Sequence, residues 1–74
     1  MSSPKSIPSQ VSVGTDKITA AAGNKLYITA ILASDDLDID GLAVNGLGPV
    51  NITSPIACTS FTPNTAGQVA YYEQ

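Results

Sequence analysis

The stretch from Lys25 to Ala33 constrains the fold most, because it is apolar on both sides of an extended chain. Its β-branched and aromatic residues, and the Gly23-Asn24 pair just before it, favour a strand over a helix. One side of the predicted strand carries Leu26, Ile28, Ala30 and Leu32, and the other carries Tyr27, Thr29, Ile31 and Ala33. We therefore expect a buried strand that other elements cover on both faces.

Shorter strand patterns with turn residues surround this stretch at intervals of about eight to twelve residues. The predicted strands are residues 11–13, 17–22, 25–33, 36–40, 42–44, 50–53, 56–62 and 68–72. Gly23-Asn24 predicts a tight hairpin that pairs residues 17–22 with the central strand. Asn45-Gly46 predicts a second hairpin into residues 47–53. The pattern as a whole predicts an all-β fold, a small antiparallel β-sandwich or barrel.

The first ten residues differ in composition from the rest of the chain, because Pro4 and Pro8 lie among serines. Such a composition is typical of an extended arm without internal hydrogen bonds. We expect residues 1–10 to form an extended N-terminal arm and residues 11–74 to form a single small β domain.

The chain has few ways to stabilise so small a domain by itself. It has 74 residues, one cysteine and no histidine, which excludes an internal disulfide and a histidine or thiolate zinc site. Charged residues are only 12% of the chain and hydrophobic residues 43%, which is little charge for the surface of a monomer. We therefore expect a homo-oligomer, or docking onto a larger assembly.

The charge balance argues against nucleic acid as a partner. The net charge is −3, with three lysines and no arginine to neutralise phosphates or read bases. No window has the length and apolarity of a membrane-spanning helix, and the first residues lack the apolar core of a secretory leader. We expect neither nucleic acid nor membrane as a partner.

The motif Asp36-x-Asp38-x-Asp40-Gly41 is the candidate metal site, since it matches the opening of a calcium-binding loop. The match ends there, because the twelfth position from Asp36 is Leu47 instead of a bidentate glutamate. An extended strand would also space these carboxylates by about 6.6 Å along one face. The alternative interpretation is a solvated strand face, with Leu37 and Ile39 turned inward.

No residue pattern predicts catalysis or a cofactor. Histidine, the commonest general base, and arginine, the usual anion clamp, are both absent. Cys58 has no histidine partner and lies in an apolar strand, so we expect a buried structural thiol. Tyr71 and Tyr72 are neighbours in a predicted strand and should point to opposite faces, one inward and one at an interface.

The run from Ile18 to Ala33, Ile-Thr-Ala-Ala-Ala-Gly-Asn-Lys-Leu-Tyr-Ile-Thr-Ala-Ile-Leu-Ala, resembles a pattern in small structural proteins of tailed bacteriophages. In those proteins a short strand ends in an alanine-glycine corner with a lysine, and a long apolar strand follows. The resemblance covers residues 18 to 46 at most. It implies a virion component that is made in the host cytoplasm, and no catalytic or ligand residue carries over.

From this resemblance we expect a capsid decoration (cement) protein that binds the assembled capsid in many copies and stabilises it. The partner would be the major capsid protein or another virion protein. The expected interface residues are Pro4, Ile7 and Pro8 of the arm, and Tyr71 and Tyr72. One alternative is a tail or head-tail accessory protein of a phage, and another is a small calcium- or glycan-binding β module.

Overall fold

The computed structural model describes residues 7–32, 36–45 and 48–74, with side chains from residue 10 onward. Within these residues the chain is all-β and has no helix, as predicted. Eight strands form two antiparallel four-stranded sheets that pack on each other as a sandwich. The strands are β1 (Ile7–Val13), β2 (Ile18–Thr19), β3 (Leu26–Leu32), β4 (Asp36–Ile39), β5 (Leu42–Asn45), β6 (Val50–Cys58), β7 (Ser60–Pro63) and β8 (Gln68–Glu73).

The predicted central strand is β3, and it lies inside the first sheet. This sheet has the order β1-β8-β3-β6, so β3 pairs on both sides and β1 and β6 form the edges. The second sheet has the order β2-β7-β4-β5. The prediction of a central strand is therefore confirmed for Leu26–Leu32, whereas the cover expected on both faces is present on only one of them among the described residues.

A β-bulge at Thr29 changes which residues of β3 face the core. Ile28 pairs with Tyr71 and Ala30 with Ala70, so Thr29 is an extra residue opposite consecutive positions of β8. The Thr29 hydroxyl donates a hydrogen bond of 3.3 Å to the Ala70 carbonyl. Beyond the bulge Ile31 turns inward and Leu32 is 53% exposed, so the predicted faces are wrong after Thr29.

The core lies between the two sheets and takes its side chains from both. Its buried apolar residues are Leu26, Ile28, Ile31, Leu37, Cys58, Phe61, Val69 and Tyr71. The Phe61 and Tyr71 rings meet edge to face, with centroids 5.3 Å apart and planes at 69°. This contact joins β7 of one sheet to β8 of the other and uses a geometry that aromatic pairs favour.

The predicted hairpin at Gly23-Asn24 is wrong, because the flanking strands belong to different sheets. β2 pairs with β7 in the second sheet, whereas β3 lies in the first. Asn24 is buried, and its side-chain amide donates a hydrogen bond to Glu73. In an exposed two-residue hairpin turn this side chain would instead face the solvent. Residues 20–25 therefore cross between the sheets.

The predicted hairpin at Asn45-Gly46 is also wrong. The hairpin turn is Asp40-Gly41, which joins β4 to β5 and has positive φ at both residues, 53° and 84°. Two positive φ values characterise the type I′ turn, which matches the twist of the flanking strands. After β5 the chain joins the first sheet as β6, and residues 46–47 lie outside the described residues.

Several strand boundaries differ from the prediction, and the predicted strand 56–62 is divided at Thr59 between β6 of the first sheet and β7 of the second. β1 begins at Ile7 and pairs with β8, so residues 7–10 belong to the sheet although they were predicted as part of the arm. β6 continues through Ser54-Pro55 as one strand. Its register to β3 jumps from Asn51 to Ile56, and proline is tolerated in such an irregular edge strand because it interrupts no regular ladder.

Candidate functional site

The three aspartates of the predicted metal motif do not converge. Asp36 and Asp38 lie in β4 on the side away from the core, whereas Leu37 and Ile39 face inward as predicted. Asp40 lies in the turn after the strand. In the part of the chain that the structure describes, no three aspartate, glutamate, cysteine or histidine side chains are grouped closely enough to hold a metal ion.

Asp40 instead stabilises the turn between β6 and β7 by hydrogen bonding to its residues. One carboxylate oxygen accepts hydrogen bonds from the Thr59 backbone N–H at 2.7 Å, the Thr59 hydroxyl at 2.6 Å and the Ser60 N–H at 3.1 Å. The Asp40 N–H donates to the Ser60 carbonyl at 2.9 Å. The hydrogen bonds from Thr59 lower the pKa of the Asp40 carboxyl, because they favour its charged form.

This arrangement predicts an acid-dependent loss of stability. A carboxyl whose pKa is lower in the folded chain stabilises the fold above its unfolded pKa and loses that effect as the pH falls through the folded value. Asp40→Asn should lower the melting temperature at pH 7, and the difference from the wild type should shrink as the pH falls below 3.8. Thermal melts monitored by circular dichroism between pH 2 and 7 measure this difference.

Asp38→Asn is the matched control for Asp40→Asn, since it removes the same charge from β4 without touching Thr59. Its melting temperature should stay close to the wild type. A melting difference for Asp40→Asn that stays constant over the whole pH range would refute the assigned role of the carboxylate.

Cys58 is buried, as predicted, and faces the core from the end of β6. Burial, reinforced by the negative charge of Asp40, raises the pKa of its thiol to about 11. The thiol is therefore protonated at neutral pH, and the nucleophilic thiolate is scarce.

Tyr71 and Tyr72 point to opposite faces, as predicted. Tyr71 lies in the core against Phe61, so its ring is not available on the surface. Tyr72 lies on the outer face, stacked on Tyr27 with ring centroids 4.9 Å apart and planes at 14°. Of the other expected interface residues, Pro4 lies outside the described residues, and Ile7 and Pro8 are described in β1 without their side chains.

The candidate functional surface is the side of the first sheet that faces away from the core, which we call the outer face. Residues directly opposite each other on neighbouring strands share a face, so the register defines three cross-strand rows on it. The first row is Val13, Gln68 and Leu32. The second row is Val11, Ala70, Ala30 and Asn51. The third row is Tyr72, Tyr27 and Ala57.

Among the described residues, the outer face is mainly apolar and carries no charged side chain. The strands β1, β3, β6 and β8 contain one charged residue, Glu73, and its side chain is buried on the opposite side. Val13 is 72% exposed and Val11 57%, so large apolar groups reach the solvent here. Contiguous apolar surface of this kind marks protein contact sites more often than scattered single residues do.

A hollow of about 360 Å³ lies within the outer face. The residues that line it include the two alanines of the second row together with Val11, Leu32 and Val50. The polar groups that line it are the neutral amides Asn51 and Gln68. The hollow therefore suits an uncharged, mainly apolar group.

Four residues of the first two rows were not predicted as site residues from the sequence, namely Val11, Val13, Asn51 and Gln68. A signal was nevertheless present, since the central strand is apolar on both sides and must be covered on both. The second sheet covers one side. The outer face is the side for which the described residues supply no cover.

Comparison with protein-family models, curated proteins and solved structures found no match to the chain. Among the described residues, no helix has the length and apolarity needed to cross a membrane.

Proposed function

We propose that the chain is a virion structural protein of the capsid decoration type, which binds an assembled protein shell in many copies and stabilises it. The observation that carries the proposal is the outer face, a mainly apolar surface of a four-stranded sheet that has no charged side chain among the described residues. The resemblance to small structural proteins of tailed phages, over residues 18 to 46 at most, is the reason for proposing a phage particle as the assembly.

The proposed mechanism is mass action on the assembled state. A protein that binds the intact lattice and not its dissociated subunits lowers the free energy of the lattice, by about 2.7 kcal/mol per site at a concentration of 100 times Kd. Burial of apolar surface supplies the attraction, at roughly 25 cal/mol per Å². A chain present in many copies adds this contribution at every site.

The distribution of charge supports a role in assembly. Asp36 and Asp38 lie on the second sheet, directed away from the core, so the acidic side chains stay hydrated when the outer face is covered. Contact through the outer face therefore buries no charged side chain of the described residues.

No observation favours the alternative of a calcium-binding module, because Asp40 is engaged by Thr59 and Ser60. We also propose no catalytic role. The chain lacks histidine and arginine, and its one thiol is buried and protonated. A tail or head-tail accessory protein would use the same outer face and would differ in its position on the particle.

The test is quantitative mass spectrometry of gradient-purified virions whose genome encodes the chain. We expect peptides of the chain at a copy number comparable with that of the major shell protein, and gold-labelled antibody on the head. If only a few copies were found, and these at the tail, the chain would be a tail or head-tail accessory protein instead of a decoration protein. Absence from the virions, with the chain found only in the soluble lysate, would overturn the proposal.

A further inference from the structure

We infer that the outer face is covered by a second copy of the chain, packed face to face around a two-fold axis, so that the assembling unit is a dimer. The inference rests on the proposed function in one respect, because both assign the outer face to protein contact. It goes further by naming a second copy as the partner of that face, so that the dimer would bind the shell through surfaces other than the outer face.

Charge favours the outer face over the other surfaces for contact between copies. The chain carries a net charge of −3, so two copies repel each other at most orientations. Contact through the second sheet would bring Asp36 and Asp38 of both copies together, and like charges in close contact are unfavourable. The outer face has no charged side chain among the described residues, so the same contact there meets no such repulsion.

Shape favours a symmetric contact. A two-fold interface uses the same patch on both copies, so the patch must offer both a projection and a recess. The second row has alanines at its centre, between the valine and leucine of the first row and the tyrosines of the third. Each copy thus presents apolar projections beside the hollow of about 360 Å³.

The area of the outer face places the contact among the small interfaces, which are mostly weak and transient. Four strands about 4.8 Å apart and seven residues long cover roughly 19 by 23 Å. Side-chain relief increases this area, so each copy would bury on the order of 600 Å² and the pair about 1,200 Å², the lower limit of specific interfaces. We therefore expect a reversible dimer with Kd on the order of micromolar.

The test is sedimentation equilibrium of the full chain from about 1 to 500 µM, with circular dichroism to confirm folding. The mass should rise with concentration from 7.5 kDa towards twice that value. Val13→Lys should remain monomeric throughout, because it places a charge in the contact. Leu42→Lys is the matched control, since Leu42 is also 72% exposed but lies in the second sheet, and it should dimerise like the wild type.

Ala70→Leu distinguishes a contact that depends on complementary shape from non-specific hydrophobic association. The substitution enlarges the apolar surface but fills the hollow. The inference predicts at least tenfold weaker dimerisation for this variant, and tighter association would contradict it. A wild-type chain that is monomeric at every concentration would overturn the dimer, and so would a dimer lost in Leu42→Lys but retained in Val13→Lys. A monomer that is still abundant in virions would overturn only this inference, whereas a face-dependent dimer absent from virions would overturn only the decoration role.

Discussion

Replacing Ile28 by alanine should lower the free energy of unfolding by about 2 to 5 kcal/mol, because Ile28 is fully buried between the sheets. A domain of this size has only about 3 to 5 kcal/mol of stability from its core, so the variant should be largely unfolded at 37 °C. Urea denaturation followed by far-ultraviolet circular dichroism measures the change. It should be done at low micromolar concentration, where self-association adds little.

Leu32→Ala is the matched control for Ile28→Ala, since it truncates a residue of the same strand that is 53% exposed. The expected loss is below about 1 kcal/mol, because little buried surface is removed. Equal losses for the two variants would contradict the bulge at Thr29, which is the feature that separates the two residues.

Replacing Glu73 by alanine should destabilise the fold by about 2 to 4 kcal/mol, since it removes a buried acceptor of two hydrogen bonds. Glu73 is 6% exposed, and one of its oxygens accepts from the Ala21 N–H at 2.8 Å and from the Asn24 side-chain amide at 2.9 Å. These bonds fix the crossing segment to the end of β8. The same urea denaturation measures the loss.

Glu73→Gln should fall between the wild type and Glu73→Ala, because an amide oxygen can accept the same two bonds but carries no charge. Asp16→Ala is the control for the change in net charge. It removes an exposed carboxylate and should change stability by less than about 0.5 kcal/mol. If Glu73→Ala were as stable as Asp16→Ala, the crossing segment would not depend on Glu73.

Most strands were predictable from the sequence because their signals are local, but the change of sheet inside the predicted strand 56–62 was not. Alternating apolar residues identified β4 with Leu37 inward, and the long apolar run identified β3. The faces of β3 after Thr29 were not predictable, because an extended strand gives no sign of a bulge that arises from pairing with β8. A single extra residue exchanges the inward and outward positions that follow.

The connections were less predictable than the strands. Asp40-Gly41 is a strong hairpin signal, but Asp40 was assigned to the aspartate motif instead of the turn. Gly23-Asn24 and Asn45-Gly46 also match turn residues, yet the chain changes sheets near both. Local sequence shows that a chain turns, while the sheet that the next strand joins depends on long-range packing.

The sequence predicted only that a second apolar face of the central strand must be covered, and it did not predict which residues form the candidate site. The strand from Leu26 to Leu32 has apolar residues on both sides, which indicated a second covering surface. The contributions of Val11, Val13 and Ala70 follow from the pairing of β1 and β3 with β8, which the sequence does not specify.

The most direct test of the central claim is hydroxyl-radical footprinting of the chain, free at low concentration and in its assembled form. We expect that oxidation of Leu32 and Tyr72, on the outer face, falls several-fold on assembly. Oxidation of Leu42, exposed on the second sheet, should not change. Protection of Leu42 with Leu32 and Tyr72 unchanged would show that assembly uses another surface and would contradict the account.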